Sequence, residues 1–149
     1  MAESLPRLVV AAVIERDGRY LMVDEHDLER RVYNQPAGHV EHGESITAAA
    51  VREVLEETAW LFAPEAIVGI YRLAVPARAT TYVRVCFTGQ LLEHFPERRL
   101  DDGIVAAPWL TRDELAAEPE RLRSPIVLAA IDDYLAGRRY PLDLLRDFP

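Results

Sequence analysis

Cysteine is nearly absent from this 149-residue chain: Cys86 stands alone, so no intramolecular disulfide can form. It sits in an apolar, strand-like run over residues 82–87 and reads as a small buried hydrophobe, not a nucleophile. No apolar run approaches the roughly 20 residues that a membrane-spanning helix needs. The first six residues lack the basic flank, apolar core and cleavage site of a signal peptide. A cytoplasmic protein with no membrane partner is expected. Internal repeats, low-complexity tracts and linkers are also missing. Positive charge is short: 17 basic against 25 acidic residues give a net charge of -8. That balance disfavours a general DNA or RNA binder, which needs a basic face for the phosphate backbone. It does not exclude a small anionic substrate, because a metal ion and a few arginines can reverse the field within one cleft.

What is present is enough apolar material for a core. Half the residues are hydrophobic, and the length suits one domain spanning 1–149. Residues 8–14 and 20–23 read as strands joined at Asp17-Gly18 into a hairpin. The charged stretch 24–32 reads as a loop, and 34–38 carries turn chemistry in Pro36 and Gly38. Residues 45–58 form the clearest helix, with Ser45 or Thr47 as its cap. Strands are expected over 67–75 and 81–92, a loop over 93–103, and a short strand over 104–110 that includes Trp109. Thr111 and Glu114 resemble a capping box for a short helix over 112–117. Ser124-Pro125 opens the last helix, which ends near Gly137, and the tail beyond it can pack back on the domain. Strands and helices alternate irregularly, which implies an α+β fold or mixed-sheet sandwich, not a doubly wound sheet.

The helix over 45–58 carries the chemistry. Glu53, Glu56 and Glu57 lie three and four residues apart, so their carboxylates share adjoining parts of one face. Ala48, Val51 and Leu55 are expected to form the opposite, buried side, with Val54 on the flank. Like charges at these spacings repel, so the cluster is either a solvated acidic face or a site with a counter-charge. Arg52, four residues before Glu56, is one such counter-charge; a divalent cation is the other, and carboxylate oxygens suit Mg2+ or Mn2+.

Upstream residues shift the balance toward a site. The run Gly38-x5-Glu44-x7-Arg52-Glu53-Val54-x-Glu56-Glu57 resembles the signature of the Nudix hydrolases, G-x5-E-x7-R-E-U-x-E-E-x-G-U with U a bulky aliphatic. Ala59 and Trp60 depart from it, standing where the family has glycine and an aliphatic residue. The resemblance implies a mixed β-sheet sandwiched between helices and cleavage of a phosphoanhydride bond by metal-activated water. It implies Glu53, Glu56 and Glu57 as metal ligands, aided by the Gly38 carbonyl, with Arg52 orienting the glutamates and Glu44 supporting the loop. Glu53 or Glu57 is the candidate base, and Glu97, Asp101 and Asp102 are distal alternatives.

Further strings, 33–41, 122–125, 137–142 and 147–148, resemble the NudJ-like subgroup of bacterial Nudix phosphatases. The resemblance implies nucleoside tri- or diphosphates, or a small organic diphosphate such as a thiamin-precursor pyrimidine diphosphate, as substrate. Arg84, Tyr33 and His39 are candidate substrate contacts, with Arg72, Arg123, Tyr71 and Tyr82 behind them. A non-catalytic nucleotide sensor and an RNA 5′-pyrophosphohydrolase are the rival functions. A monomer or a homodimer is expected.

Overall fold

The computed structural model describes residues 5–149. Its centre is a four-stranded sheet built from β1 (Arg7–Ala12), β6 (Ala37–His39), β7 (Trp60–Val75) and β8 (Thr80–His94), in the order β6-β1-β8-β7. β1 runs parallel to β8, and the other neighbours are antiparallel. β1 is buried on both faces because its run of Val and Ala feeds two cores. Val10 and Ala12 pack with Val85, Phe87 and Ile67 under helix α1 (Ile46–Thr58). Ala11 and Val13 pack with Cys86 and Val68 under helix α3 (Ile126–Leu135). The period-2 alternation of a strand thus assigns successive residues to opposite layers. The mixed sheet between helices is the fold that the sequence implied.

Two small three-stranded sheets flank the centre. One orders β10 (Trp109–Thr111), β3 (Arg19–Leu21) and β2 (Glu15–Arg16); the other orders β5 (Arg30–Asn34), β4 (Val23–Asp27) and β9 (Ile104–Ala106). Asp17 and Gly18 turn at φ 52° and 75°, as the Asp-Gly pair anticipates, but the turn joins β2 to β3 rather than extending β1. The stretch 24–32 is not a loop. It is a β4/β5 hairpin turning at Leu28, φ 58°. Its charged residues fit a strand because they meet opposite charges: Arg31 and Arg121 bind Asp24, and Arg78 binds Asp27. The 104–110 region splits into β9 and β10, which belong to different sheets, with Pro108 between them. β7 begins directly after α1, earlier than the sequence suggests, and tolerates Pro64 at a register shift.

Thr111 Oγ1 accepts from Glu114 N at 3.0 Å and starts α2 (Arg112–Ala116). Gly137, at φ 82°, follows the end of α3. The tail does pack back. Tyr140 and Ile67 exchange two backbone bonds of 2.8 Å, and Leu142 and Leu145 pack on the core beneath α1. No helix among the described residues is long and apolar enough to cross a membrane.

Candidate functional site

The site begins with the seating of α1. Ser45 caps it, its hydroxyl accepting from Ala48 N at 3.0 Å. Ala59 ends it in the left-handed conformation, φ 62°, its N–H reaching Leu55 O. Alanine therefore keeps the exit that a glycine would make without strain. The buried face is Ala49, Ala50, Glu53, Val54, Glu57 and Thr58, while Ala48 is exposed and Val51 and Leu55 are half-buried. This corrects the expectation that the glutamates face away from the buried side. Glu53 and Glu57 lie on it, because the helix presses them against β6. Gly38 makes room: a methyl group there would overlap the Glu53 carboxylate.

Arg52 organises the acids. Its Nε and Nη2 donate to Glu44 at 2.7 and 2.9 Å, and its Nη1 donates to Glu53 at 2.8 Å and Glu56 at 3.1 Å. Nη2 also donates to the His39 carbonyl at 2.9 Å, tying β6 to the helix. Glu44 in turn accepts from Glu41 N at 3.1 Å, and the Arg52 bonds hold its pKa below the usual range. One guanidinium cannot neutralise all these carboxylates. Burial pushes Glu53 up to about 7 despite Arg52, and pushes Glu57 up to about 9 despite the Ala37 N–H that it accepts at 2.8 Å.

The loop after β8 adds an acid. Asp101 N donates to Glu56 O at 3.0 Å, which brings the Asp101 side chain to the helix. Carboxylate oxygens of Glu53, Glu56 and Asp101 all lie within 4.8 Å of one another. Three hard oxygen donors around one point, with surplus negative charge, fit a divalent cation such as Mg2+ or Mn2+. Glu57 stands beside them, its Oε1 turned to β6. Of the distal acids raised by the sequence, only Asp101 joins the cluster. Asp102 pairs with Arg99 in solvent, and Glu97 is exposed.

On the opposite face of the central sheet, a cavity of about 550 Å³ opens between the sheet, the β4/β5 hairpin and the start of α3. Gly38 and Ala37 line it, so one short strand serves both the cavity and the acidic cluster. Of the expected substrate contacts, Arg84 and His39 line the cavity; Tyr33 does not. Tyr33 is covered by Arg121, whose guanidinium lies 3.9 Å from the ring centre and donates to its hydroxyl at 2.6 Å. His39 lies beside Tyr82, 6.4 Å between rings, and desolvation with nearby Arg7 and Arg123 lowers its pKa. Tyr82 and Arg123 also line the cavity, whereas Tyr71 donates to Asp133 at 2.7 Å and Arg72 is exposed. Trp109 is half-buried against the core, with Arg16 over its ring at 5.0 Å.

The cavity also contains residues that sequence reasoning passed over: Glu25, Asp27, Arg30, Asn34 and Arg78. They come from the hairpin misread as a loop and from the turn between β7 and β8. The signal that could have found them is the opposite charges placed across a short turn, Asp24 and Asp27 against Arg30 and Arg31. Asp27 binds Arg78 at 2.7 Å, and Glu25 binds Arg123 at 2.7 Å.

A sequence model described as "NUDIX domain" matches residues 5–131. Over 143 residues the chain is 34% identical to "Phosphatase NudJ" of Escherichia coli strain K12, covering 96% of this chain and 92% of that protein. A solved "NUDIX hydrolase from Nitrosomonas europaea" superposes with a TM-score of 0.94 and 48% identity, covering 97% of this chain and 98% of that one. A "MutT NUDIX hydrolase from Burkholderia pseudomallei" shares the fold at a TM-score of 0.75 and 22% identity, covering 87% and 98% of the two chains.

Proposed function

The chain belongs to the Nudix hydrolase family, and from that membership we propose that it hydrolyses nucleoside tri- or diphosphates, or a small organic diphosphate, with Mg2+ or Mn2+. It is a hydrolase, and phosphoanhydride bonds are the general class that its relatives imply. The observation that carries the finer reading is the convergence of Glu53, Glu56 and Asp101 oxygens within 4.8 Å. Glu53, Glu56 and Asp101 would hold the cation, with Glu57 and the Gly38 carbonyl at its margin. When bound there, such a cation spreads the charge that develops on phosphate oxygens and acidifies water.

The protein's own groups do the rest. Arg52 fixes the rotamers of Glu53 and Glu56 and, through Glu44, the loop that precedes α1. Glu53 or Glu57 is the carboxylate that would accept the proton of the attacking water; both are held on the buried side of α1 against β6. The cavity of about 550 Å³ is of the size that takes one nucleotide-sized ligand. His39 and Arg84 are its substrate contacts on the sheet, and no role in binding is assigned to Tyr33. A single catalytic domain acting on a small phosphorylated molecule in the cytoplasm fits these features.

The test is a panel of nucleoside mono-, di- and triphosphates and small diphosphates, assayed for orthophosphate and pyrophosphate with Mg2+, Mn2+ or chelator. Metal-dependent release from a di- or triphosphate is expected. Absence of release from every member with either metal refutes the reading.

A further inference from the structure

The tail after α3 is a strap between the two helical layers. It leaves α3 at Gly137, on the cavity side of the central sheet, and crosses at β7, the strand on the sheet's edge. There Tyr140 and Ile67 exchange their two backbone bonds of 2.8 Å. Past that edge, Leu142 and Leu145 pack on the core beneath α1. The strap then reaches the helix itself: Ile46 N donates to Asp147 Oδ1 at 3.3 Å.

Asp147 supplies what α1 lacks at that end. The first turn of α1 contains no acidic residue and its last turn no basic one, so the helix complements its own dipole at neither end. Ser45 Oγ accepts one free N–H of the first turn, that of Ala48. Glu44, just before the start, is committed to Arg52 through bonds of 2.7 and 2.9 Å. Asp147 both accepts a second free N–H and adds negative charge beside it. The seating thus secured has little slack. Ala37 N meets Glu57 at 2.8 Å, His39 O meets Arg52 at 2.9 Å, and a methyl group on Gly38 would lie 2.1 Å from the Glu53 carboxyl carbon. These contacts grip α1 from Arg52 onward, and the strap grips its start. Ile46 lies about 10 Å along the helix axis from Glu53, and a helix carries a tilt at one end to the other.

Building on the metal-dependent hydrolase reading, we propose that Asp147 is a positioning residue for the reaction. Through the strap it fixes the start of α1, and through α1 the places of Glu53, Glu56 and Glu57, acting directly on neither cation nor substrate. Without its carboxylate, α1 tilts on its grip at β6 and the acids spread apart. The cavity is lined largely by β4, β5, β8 and the segment before α3, none of which the strap's last residues hold. Metal affinity and turnover therefore depend on Asp147, and substrate affinity does not.

The experiment compares the full chain with D147A and with T111A, which removes the cap of α2, a helix that carries no residue of the site. Calorimetry with Mn2+ and no substrate is expected to show at least 5-fold weaker binding by D147A, with T111A like wild type. In steady state with Mg2+, D147A is expected to lose at least 5-fold in kcat, with KM for a nucleoside diphosphate within 2-fold of wild type. A D147A protein that is less stable yet binds Mn2+ and turns over like wild type overturns the proposal, since Asp147 then serves the fold alone. An equal loss in T111A also overturns it, because general instability then explains both. If D147A does not fold, D147N, which keeps an acceptor oxygen and loses the charge, serves in its place: weaker Mn2+ binding supports the proposal and unchanged binding overturns it. Amide hydrogen exchange in chelator reads the seating of α1 without metal or turnover. Faster exchange over residues 49–54 in D147A but not in T111A is expected, and equal exchange in D147A and wild type overturns the proposal. That arm can fail while the substrate panel succeeds, and the reverse.

Discussion

The two faces of the central sheet are opposites in charge. Under α1, one arginine, Arg52, is shared among Glu44, Glu53 and Glu56, and Asp101 and Glu57 stand beside them. Over the cavity, four arginines face two acids, Glu25 and Asp27. Each face is unbalanced, and each suits an ion of the opposite sign: a cation on the first, an anion on the second. Every one of the chain's 17 basic side chains is an arginine, so its cationic contacts come from planar, multi-donor groups rather than point charges. A net charge of -8 conceals this division. Composition describes the average, and a metal-phosphate site depends on the local departure from it.

Substitutions can take the contrast apart. The largest effect is expected for Glu53→Gln on the acidic face. Turnover should fall about 10²–10⁴-fold, as for a lost acid-base or ligand group. Metal-free thermal stability should not fall, because the variant removes a carboxylate whose ionisation burial opposes. Steady-state assay with Mg2+ reads the first effect and thermal denaturation in chelator the second; unchanged turnover would remove Glu53 from the site.

Gly38→Ala comes next. The new methyl group must displace the Glu53 carboxylate, and a misplacement of about 1 Å at a reacting group costs about 10²-fold in rate. A steady-state assay showing full activity would mean that Glu53 is not needed where it sits.

In the β4/β5 hairpin beside the cavity, Asp24 and Asp27 give a pH signature. Burial raises their pKa values, but hydrogen bonds and charge from Arg31 and Arg121, and from Arg78 and Arg123, outweigh it and leave both lowered from 3.8. Their contribution is therefore full above the unfolded value and is lost as pH falls through the lower folded one. The double variant D24N/D27N should be about 1–2 kcal/mol less stable at neutral pH, and its stability should fall less steeply below pH ~4. Urea denaturation across that range reads both effects; parallel curves for variant and wild type would remove these pairs from the stability account.

The smallest effect belongs to Ala59→Gly. Relieving the left-handed alanine at φ 62° should add about 1 kcal/mol, measured by the same method, with no change in KM. A loss of stability would show that the Ala59 methyl, buried in the core, outweighs the strain.

The acidic face was the more legible of the two. Its residues are close in sequence, with helical spacing, so Gly38, Glu44 and Arg52 identified it together with the glutamates. Asp101 was visible only as one of three loop acids, because a backbone bond to Glu56 decides which of them reaches the helix. The orientation of α1 was misjudged because hydrophobicity assigns a glutamate outward, and here Gly38 admits Glu53 inward. The basic face was legible only in part: Arg84 and Arg123 stood among the candidate contacts, whereas Arg30 and Arg78 did not. Its arginines come from β5, β8, the turn before β8 and the segment before α3, and only tertiary pairing unites them. Reading 24–32 as a loop followed from its charge. Strand formation there depends on Arg121 and Arg78, which are remote in sequence.

The tail carries a consequence for how the molecule is put together from a growing chain. All the acids of the candidate metal site have been made once Asp101 is added. Yet the floor on which α1 rests includes Leu142 and Leu145, and the free N–H of Ile46 at its first turn donates to Asp147 at 3.3 Å. Synthesis must therefore run nearly 50 residues past the last of these acids before the helix that carries three of them has its full complement of neighbours.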